Sequence, residues 1–262
     1  MQGRHLVTSD GVRLHYLESC PPGAESKPVI AFVPGWSMPA TIWQRQLAAL
    51  GEQHCVAALD PRGQGASDVA PGGYTTARRA EDIREFLGRY PGAVLVGWSL
   101  GALEALEYVH RHGEAALRGL VLVDSSVGED PPPPASGGFI DGLKRDRRAT
   151  LSEFVRGLFR YPRTESELAD LTEAALRMPL EASLSLFPRG TPREHWRGIA
   201  RGFRKPLLYV VSEGLAGQAQ SLKRNRPATR IEVFGQSGHA LFVDEPERFN
   251  ALLADFVSTL PQ

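Results

Sequence analysis

The sequence predicts an α/β fold: a mostly parallel sheet flanked by helices, with a helical lid inserted between its sixth and seventh strands. Three observations predict it. Short apolar runs alternate with helix-spaced segments along most of the chain, as in repeated strand–helix–strand units. From Val127 to Arg201 the strand rhythm stops, and at Lys205 it resumes. A chain of 262 residues can also bury the core of one such domain with a cap.

The elements follow in order. "HLVTSDG" and "VRLHYLES" alternate apolar and polar residues around a turn and read as a hairpin. "PVIAFVPGW" is a buried strand running into a glycine turn, and "TIWQRQLAALGEQ" has helical spacing. "CVAALDPRGQG" is a strand entering a glycine-rich loop. "TTARRAEDIREFLGRY" is an amphipathic helix that Thr75 or Thr76 can cap. "AVLVGWS", "LGALEALEYVHRHG" and "LRGLVLVDSS" read as strand, helix and strand. After the turn-forming "EDPPPPASGG", "FIDGLKRDRRATLSEFVRGLFRY" and "ESELADLTEAALRMPLEASLSLF" read as helices. "KPLLYVVSEG", "AGQAQSLKRN", "TRIEVFGQSGH" and "EPERFNALLADFVSTL" restore the alternation. The expected division is a core of residues 1–126 and 202–262 and a lid of residues 127–201. The lid is placed over the carboxyl ends of the strands, where ligands bind in such sheets.

Bulk properties narrow the function. Apolar residues make up 42% and charged residues 23% of the chain, and 30 basic residues balance 30 acidic ones. A net charge of zero argues against nucleic acid or an anionic membrane as main partner. No apolar stretch has the length of a membrane span, and the first residues lack a signal-peptide core. The expectation is a soluble, cytoplasmic protein in which Cys20 and Cys55 are two isolated thiols.

The chemistry centres on "VLVGWSLGALEAL". Gly97, Trp98, Ser99, Leu100 and Gly101 form Gly-x-Ser-x-Gly between a strand and a helix, the context in which this motif exposes its serine. The plainer alternative is a serine that only caps the helix. A nucleophilic serine needs a base, an orienting acid and two oxyanion donors. Of seven histidines, His239 alone follows a late strand, in the loop before the final helix, and is the candidate base. His195 falls in the lid, and the other five fall on early strands or surface helix positions. The donors are expected to be the backbone N–H of Leu100 and that of Trp36, in the loop "VPGWSMPATIW".

"PGW", "DPRGQGASD", "GWSLGA", "LVLVDSS" and "GHALFVDEPERF" stand in the order of the α/β-hydrolase superfamily, which the chain resembles outside the lid. Within its serine esterase branch, Trp36, Trp43 and "GWSLG" are similar to the pimeloyl-acyl-carrier-protein methyl ester esterases. The resemblance implies that the loop from Asp60 to Ser67 is structural. The serine chemistry itself calls for no metal or organic cofactor. Pro34 departs from the usual His-Gly of the oxyanion loop.

The acid is the main departure. In "PLLYVVSEGLAGQ" Ser212 and Leu215 stand where the family has glycine and aspartate. Two carboxylates can substitute: Asp124, at the end of "LVLVD", where some branches carry the acid, and Glu213, two positions before the usual one. Asp124 is preferred.

Serine as nucleophile leaves acyl transfer to water as the expected chemistry. The substrate is a carboxylic ester, with a thioester or an acyl-carrier-protein methyl ester as variants. A cofactor-free carbon–carbon bond hydrolase or perhydrolase is one alternative, and a non-catalytic binding protein on the same fold is another. The first lid helix, residues 141–160, carries Lys144, Arg145, Arg147, Arg148, Arg156 and Arg160 against Asp141, Asp146 and Glu153. That face can receive an acidic carrier protein, or can simply be solvated. Phe139, Phe154, Phe159, Leu184 and Phe187 suit a medium apolar acyl group or the packing of two lid helices.

Overall fold

Eight strands form one sheet in the order β1-β2-β4-β3-β5-β6-β7-β8. The computed structural model describes residues 1–24, 26–133, 138–187 and 190–261. The strands are β1 (Gln2–Val7), β2 (Arg13–Ser19), β3 (Ile30–Val33), β4 (Val56–Leu59), β5 (Ala93–Trp98), β6 (Leu117–Val123), β7 (Leu207–Ser212) and β8 (Arg230–Phe234). Strands β1 and β2 are the expected hairpin, and β2 also pairs antiparallel with β4. Every later pairing is parallel.

Successive strand residues face opposite sides, and here they feed two cores. Ile30, Phe32, Val94, Val96, Val121 and Val123 face the layer of α1 (Gln44–Leu50) and α11 (Pro246–Ser258). Ala31, Val33, Leu95, Leu120 and Leu122 face α2 (Thr76–Leu87), α3 (Leu100–His112) and α9 (Ala216–Asn225). Thr75 caps α2 by accepting the Arg78 N–H.

Between β6 and β7 lie α4 (Phe139–Arg145), α5 (Arg147–Gly157), α6 (Glu165–Leu176), α7 (Leu180–Ser185) and α8 (Arg193–Gly202). The single helix expected over 141–160 is two helices. Asp146 breaks it with an extended backbone (φ −145°), and its carboxylate caps α5 through the Ala149 N–H at 3.0 Å. Helices α4 to α6 pack Leu143, Leu151, Val155 and Leu168 into the core shared with α1 and α11. Helix α8, absent from the sequence reading, places Trp196 and Ala200 in the opposite core with α3. Among the described residues no helix is long and apolar enough to cross a membrane.

The reading of Cys20 and Cys55 as isolated thiols is corrected: the structure joins them in a disulfide. The antiparallel register of β2 on β4 sets Ser19 opposite Val56, so the cysteines just beyond them face each other with Cα atoms 4.0 Å apart.

One charged cluster lies wholly inside. Arg62 holds Asp82 through two nitrogens, each 2.7 Å from a carboxylate oxygen. Arg79 Nε lies 3.0 Å from Glu104 Oε1, and both side chains are buried. Burial pushes the Glu104 carboxyl from its ordinary 4.5 up to about 7, with Arg79 offsetting part of the rise. A carboxyl raised on folding stabilises the protein fully below pH 4.5, and that contribution is lost as pH rises through 7. Relative to Glu104→Gln, the wild type is expected to lose about 3 kcal/mol of stability across that window, at ~1.4 kcal/mol per pKa unit. Urea unfolding of both proteins at pH 5 and pH 8 checks this. An equal difference at the two pH values would refute it.

Candidate active site

The order β4-β3-β5 places the switch point of the sheet between β3 and β5, where parallel sheets open a crevice at their carboxyl ends. Both candidate oxyanion elements arise there, the loop after β3 and the turn after β5.

The turn after β5 presents Ser99 at φ 54°, ψ −120°, a backbone conformation that costs about 1–3 kcal/mol for a residue with a side chain. The two glycines make it possible by close approach. A Cβ on Gly97 would lie 2.4 Å from the Gly101 carbonyl oxygen, and one on Gly101 would lie 2.6 Å from those of Val33 and Pro34. The Ser99 N–H is tied to the Val123 carbonyl at 2.9 Å.

His239 follows β8 in the loop before α10 (Leu241–Asp244). The Trp98 indole Nε1 donates to the His239 carbonyl at 2.9 Å, and the Ala240 N–H donates to the Leu158 carbonyl at 2.8 Å. Asp244, buried below, accepts the N–H groups of Gly238 and Arg160, each at 2.8 Å, and a guanidinium N–H of Arg163 at 3.1 Å. The histidine loop is thus fixed from the sheet on one side and from the inserted helices on the other.

His239 Nε2 stands 2.9 Å from Ser99 Oγ, and its Nδ1 stands 2.7 Å from Asp124 Oδ2. A carboxylate only accepts, so Nδ1 carries the hydrogen and Nε2 presents its lone pair to the serine hydroxyl. Asp124 directly follows β6 at φ 41° and is 4% exposed. Its other oxygen accepts the Ser212 N–H at 2.7 Å and the Ser212 hydroxyl at 2.8 Å. Glu213 opens an exposed turn after β7, and among the described residues it makes no hydrogen bond to His239. The structure therefore brings Ser99, His239 and Asp124 together and leaves Glu213 outside.

Leu100 is the first residue of α3, and Trp36 follows Gly35 in the loop after β3. Gly35 lies against the serine: a Cβ there would come 3.1 Å from the Ser99 Cβ. Among the described residues neither the Leu100 nor the Trp36 backbone N–H donates to a protein acceptor. The Trp36 indole is buried and donates to the Ser183 carbonyl of α7 at 2.7 Å. Its ring centroid is 5.0 Å from that of Phe187, 5.4 Å from Phe154 and 5.6 Å from Phe139.

Sequence reasoning missed Ser212 and Asp244. Along the chain Ser212 only replaces the family's glycine. Its signal was the absence of the usual aspartate, which leaves a hydroxyl free to serve an acid on the neighbouring strand. Asp244 lay in the quoted "GHALFVDEPERF" with nothing to mark it as a buried hub.

Residues 30–252 match the alpha/beta hydrolase family. The chain belongs to that family. It is 28% identical to a pimeloyl-[acyl-carrier protein] methyl ester esterase of Vibrio atlanticus over 87% of this chain and 94% of that protein. It is 27% identical to the AB hydrolase superfamily protein YisY of Bacillus subtilis, over 97% and 98% of the two chains. Its fold matches the crystal structure of the esterase RhEst1 from Rhodococcus sp. with TM-score 0.85 at 23% identity over the whole of both chains. This hydrolase places its serine, histidine and aspartate just beyond the carboxyl ends of β5, β8 and β6.

Proposed function

We propose that this hydrolase cleaves a carboxylic ester through an acyl-enzyme on Ser99. The observation that carries the reading is the continuous hydrogen-bonded line from Ser99 through His239 to Asp124. Ser99 Oγ attacks the ester carbonyl while His239 Nε2 takes its proton. The Trp36 and Leu100 N–H groups receive the developing oxyanion. Collapse breaks the ester bond, and the alcohol leaves with the proton from Nε2. Water, deprotonated by the same nitrogen, then releases the acid. Asp124 accepts the Nδ1–H throughout and stabilises the imidazolium.

Residues 127–201 act as the lid on a core of 1–126 and 202–262, and within them Phe139 of α4, Phe154 of α5 and Phe187 roof the site over Trp36. Trp36, Phe139, Phe154 and Phe187 support an apolar acyl group of medium size. An acyl-carrier-protein methyl ester, the substrate printed in the name of the Vibrio relative, is the finer version of the proposal. Arg148 pairs with Glu173 and Arg156 with Glu165. Over Phe139–Ser185 eight basic residues meet eight acidic ones. Lys144, Arg145 and Arg160 make no ion pair among the described residues and remain for a carrier to contact. We place this hydrolase in the cytoplasm.

The test is direct. A fluorophosphonate probe should add to the folded protein at one site, the peptide that contains Ser99, and p-nitrophenyl esters of increasing chain length should turn over with a single optimum. A protein that neither labels nor turns over any of these esters is not this enzyme.

A further inference from the structure

The loop that carries Trp36 is held from behind by a side chain that takes no part in the chemistry above. The Gly35 carbonyl accepts the Met38 N–H at 3.2 Å and closes a turn with Trp36 and Ser37 at its centre. Ser37 has φ 59°, the positive value that the third position of a type II turn requires. The same Gly35 carbonyl accepts Gln64 Nε2 at 3.1 Å, and this nitrogen also donates to the Met38 carbonyl at 2.7 Å. A primary amide has two N–H hydrogens, one for each carbonyl. Gln64 Oε1 in turn accepts Arg79 Nη2, and Arg79 Nη1 is anchored on the Arg62 carbonyl at 3.1 Å. Gln64 and Arg79 are each 1% exposed, so water offers neither an alternative. A flipped amide would set its oxygen against two carbonyls and its NH2 against a guanidinium. One orientation of Gln64 is therefore strongly preferred.

The consequence lies in one peptide unit. The Gly35 C=O and the Trp36 N–H share a planar trans peptide, so they point in opposite directions. Holding the oxygen toward Gln64 turns the N–H away from it. That N–H has no protein acceptor among the described residues, and the residue before it lies against Ser99.

We infer that Gln64 is the positioning residue of the oxyanion hole: its amide, locked by Arg79, sets the Gly35–Trp36 peptide so that the Trp36 N–H meets the acyl oxygen. The inference rests on the acyl-transfer reading and adds to it the residue that sets this donor. Of the other side chains in the same "DPRGQGASD" segment, Arg62 reaches Asp82, and Asp60 accepts the Ala40 N–H further along the loop that carries Trp36. Gln64 alone among these three reaches the Gly35 carbonyl.

The test uses Gln64→Glu, which keeps an acceptor for Arg79 and replaces both donors with oxygen lone pairs. Gln64→Met, close in shape and without donors, serves if the first variant does not fold. Three quantities are read: the Gly35–Trp36 peptide plane in a crystal structure, kcat and KM on p-nitrophenyl butyrate, and inhibition by phenylboronic acid, whose serine adduct places an oxygen in the hole. The peptide is expected to rotate. The turnover kcat should fall by roughly 10²-fold, as for loss of one oxyanion donor, and boronic acid inhibition should weaken by a similar factor. KM should stay within about twofold, because the interaction is made in the transition state. A merely structural role would lower the melting temperature and leave the boronic acid affinity alone. If the wild type is an active esterase and a folded variant keeps both its kcat and its peptide plane, the inference fails while the proposed function stands. If the wild type turns over no ester and binds no boronic acid, the proposed function fails and the oxyanion role fails with it.

Discussion

Ser99→Ala is expected to lower kcat on a good p-nitrophenyl ester by about 10⁶-fold, the loss seen when a triad nucleophile is removed from a serine hydrolase. The substitution deletes one oxygen and leaves the rest of the line in place. Trp98 still fastens the His239 carbonyl, and Ser212 still holds Asp124. The melting temperature should therefore change little, since alanine occupies the same strained turn between the same two glycines. The residual rate, from oxyanion donors and substrate binding alone, stays some 10³–10⁴-fold above water. Steady-state kinetics on matched preparations, with active sites counted by the fluorophosphonate, decide it. A variant that keeps more than a few per cent of the wild-type rate would mean that another group attacks the ester.

Asp124→Asn should cost about 10⁴-fold in kcat, the effect of forcing the wrong imidazole tautomer. The reason lies in the other end of the carboxylate. Ser212 points both its N–H and its hydroxyl at Oδ1, so an asparagine there keeps its oxygen toward Ser212 and turns its NH2 toward His239. The histidine then accepts at Nδ1 and carries its hydrogen on Nε2, where Ser99 needs a lone pair. Glu213→Gln, by contrast, should leave kcat within about twofold, as exposed substitutions away from reacting groups do. Comparing the two variants side by side separates the candidates. If Glu213→Gln shows the large loss and Asp124→Asn does not, the orienting acid is Glu213.

Much of this molecule is legible along the chain. Period and apolar runs located all eight strands: the central ones because a strand buried on both faces must be apolar, the edge ones because their apolar and polar residues alternate. The helix at 141–160 was misread as continuous because Asp146 breaks it by capping, and a capping aspartate between charged residues looks like another surface charge. Ser99 and His239 could be found because the constraints on them are local: two glycines that permit close approach, and a loop at the end of a late strand.

What the sequence by itself determined is thus the alternation of elements, the class of fold, and the serine turn, all of which depend on residues within a few positions of one another. Tertiary structure alone decided which carboxylate faces His239, since that depends on β6 and β7 lying side by side and on Ser212 occupying one end of Asp124. It decided the pairing of Cys20 with Cys55 through the register of β2 on β4. It also brought Gln64 beneath the Gly35 carbonyl, 29 residues away in sequence. Each of these contacts joins strands or loops distant along the chain, and their geometry is set by sheet order and packing, which no local pattern records.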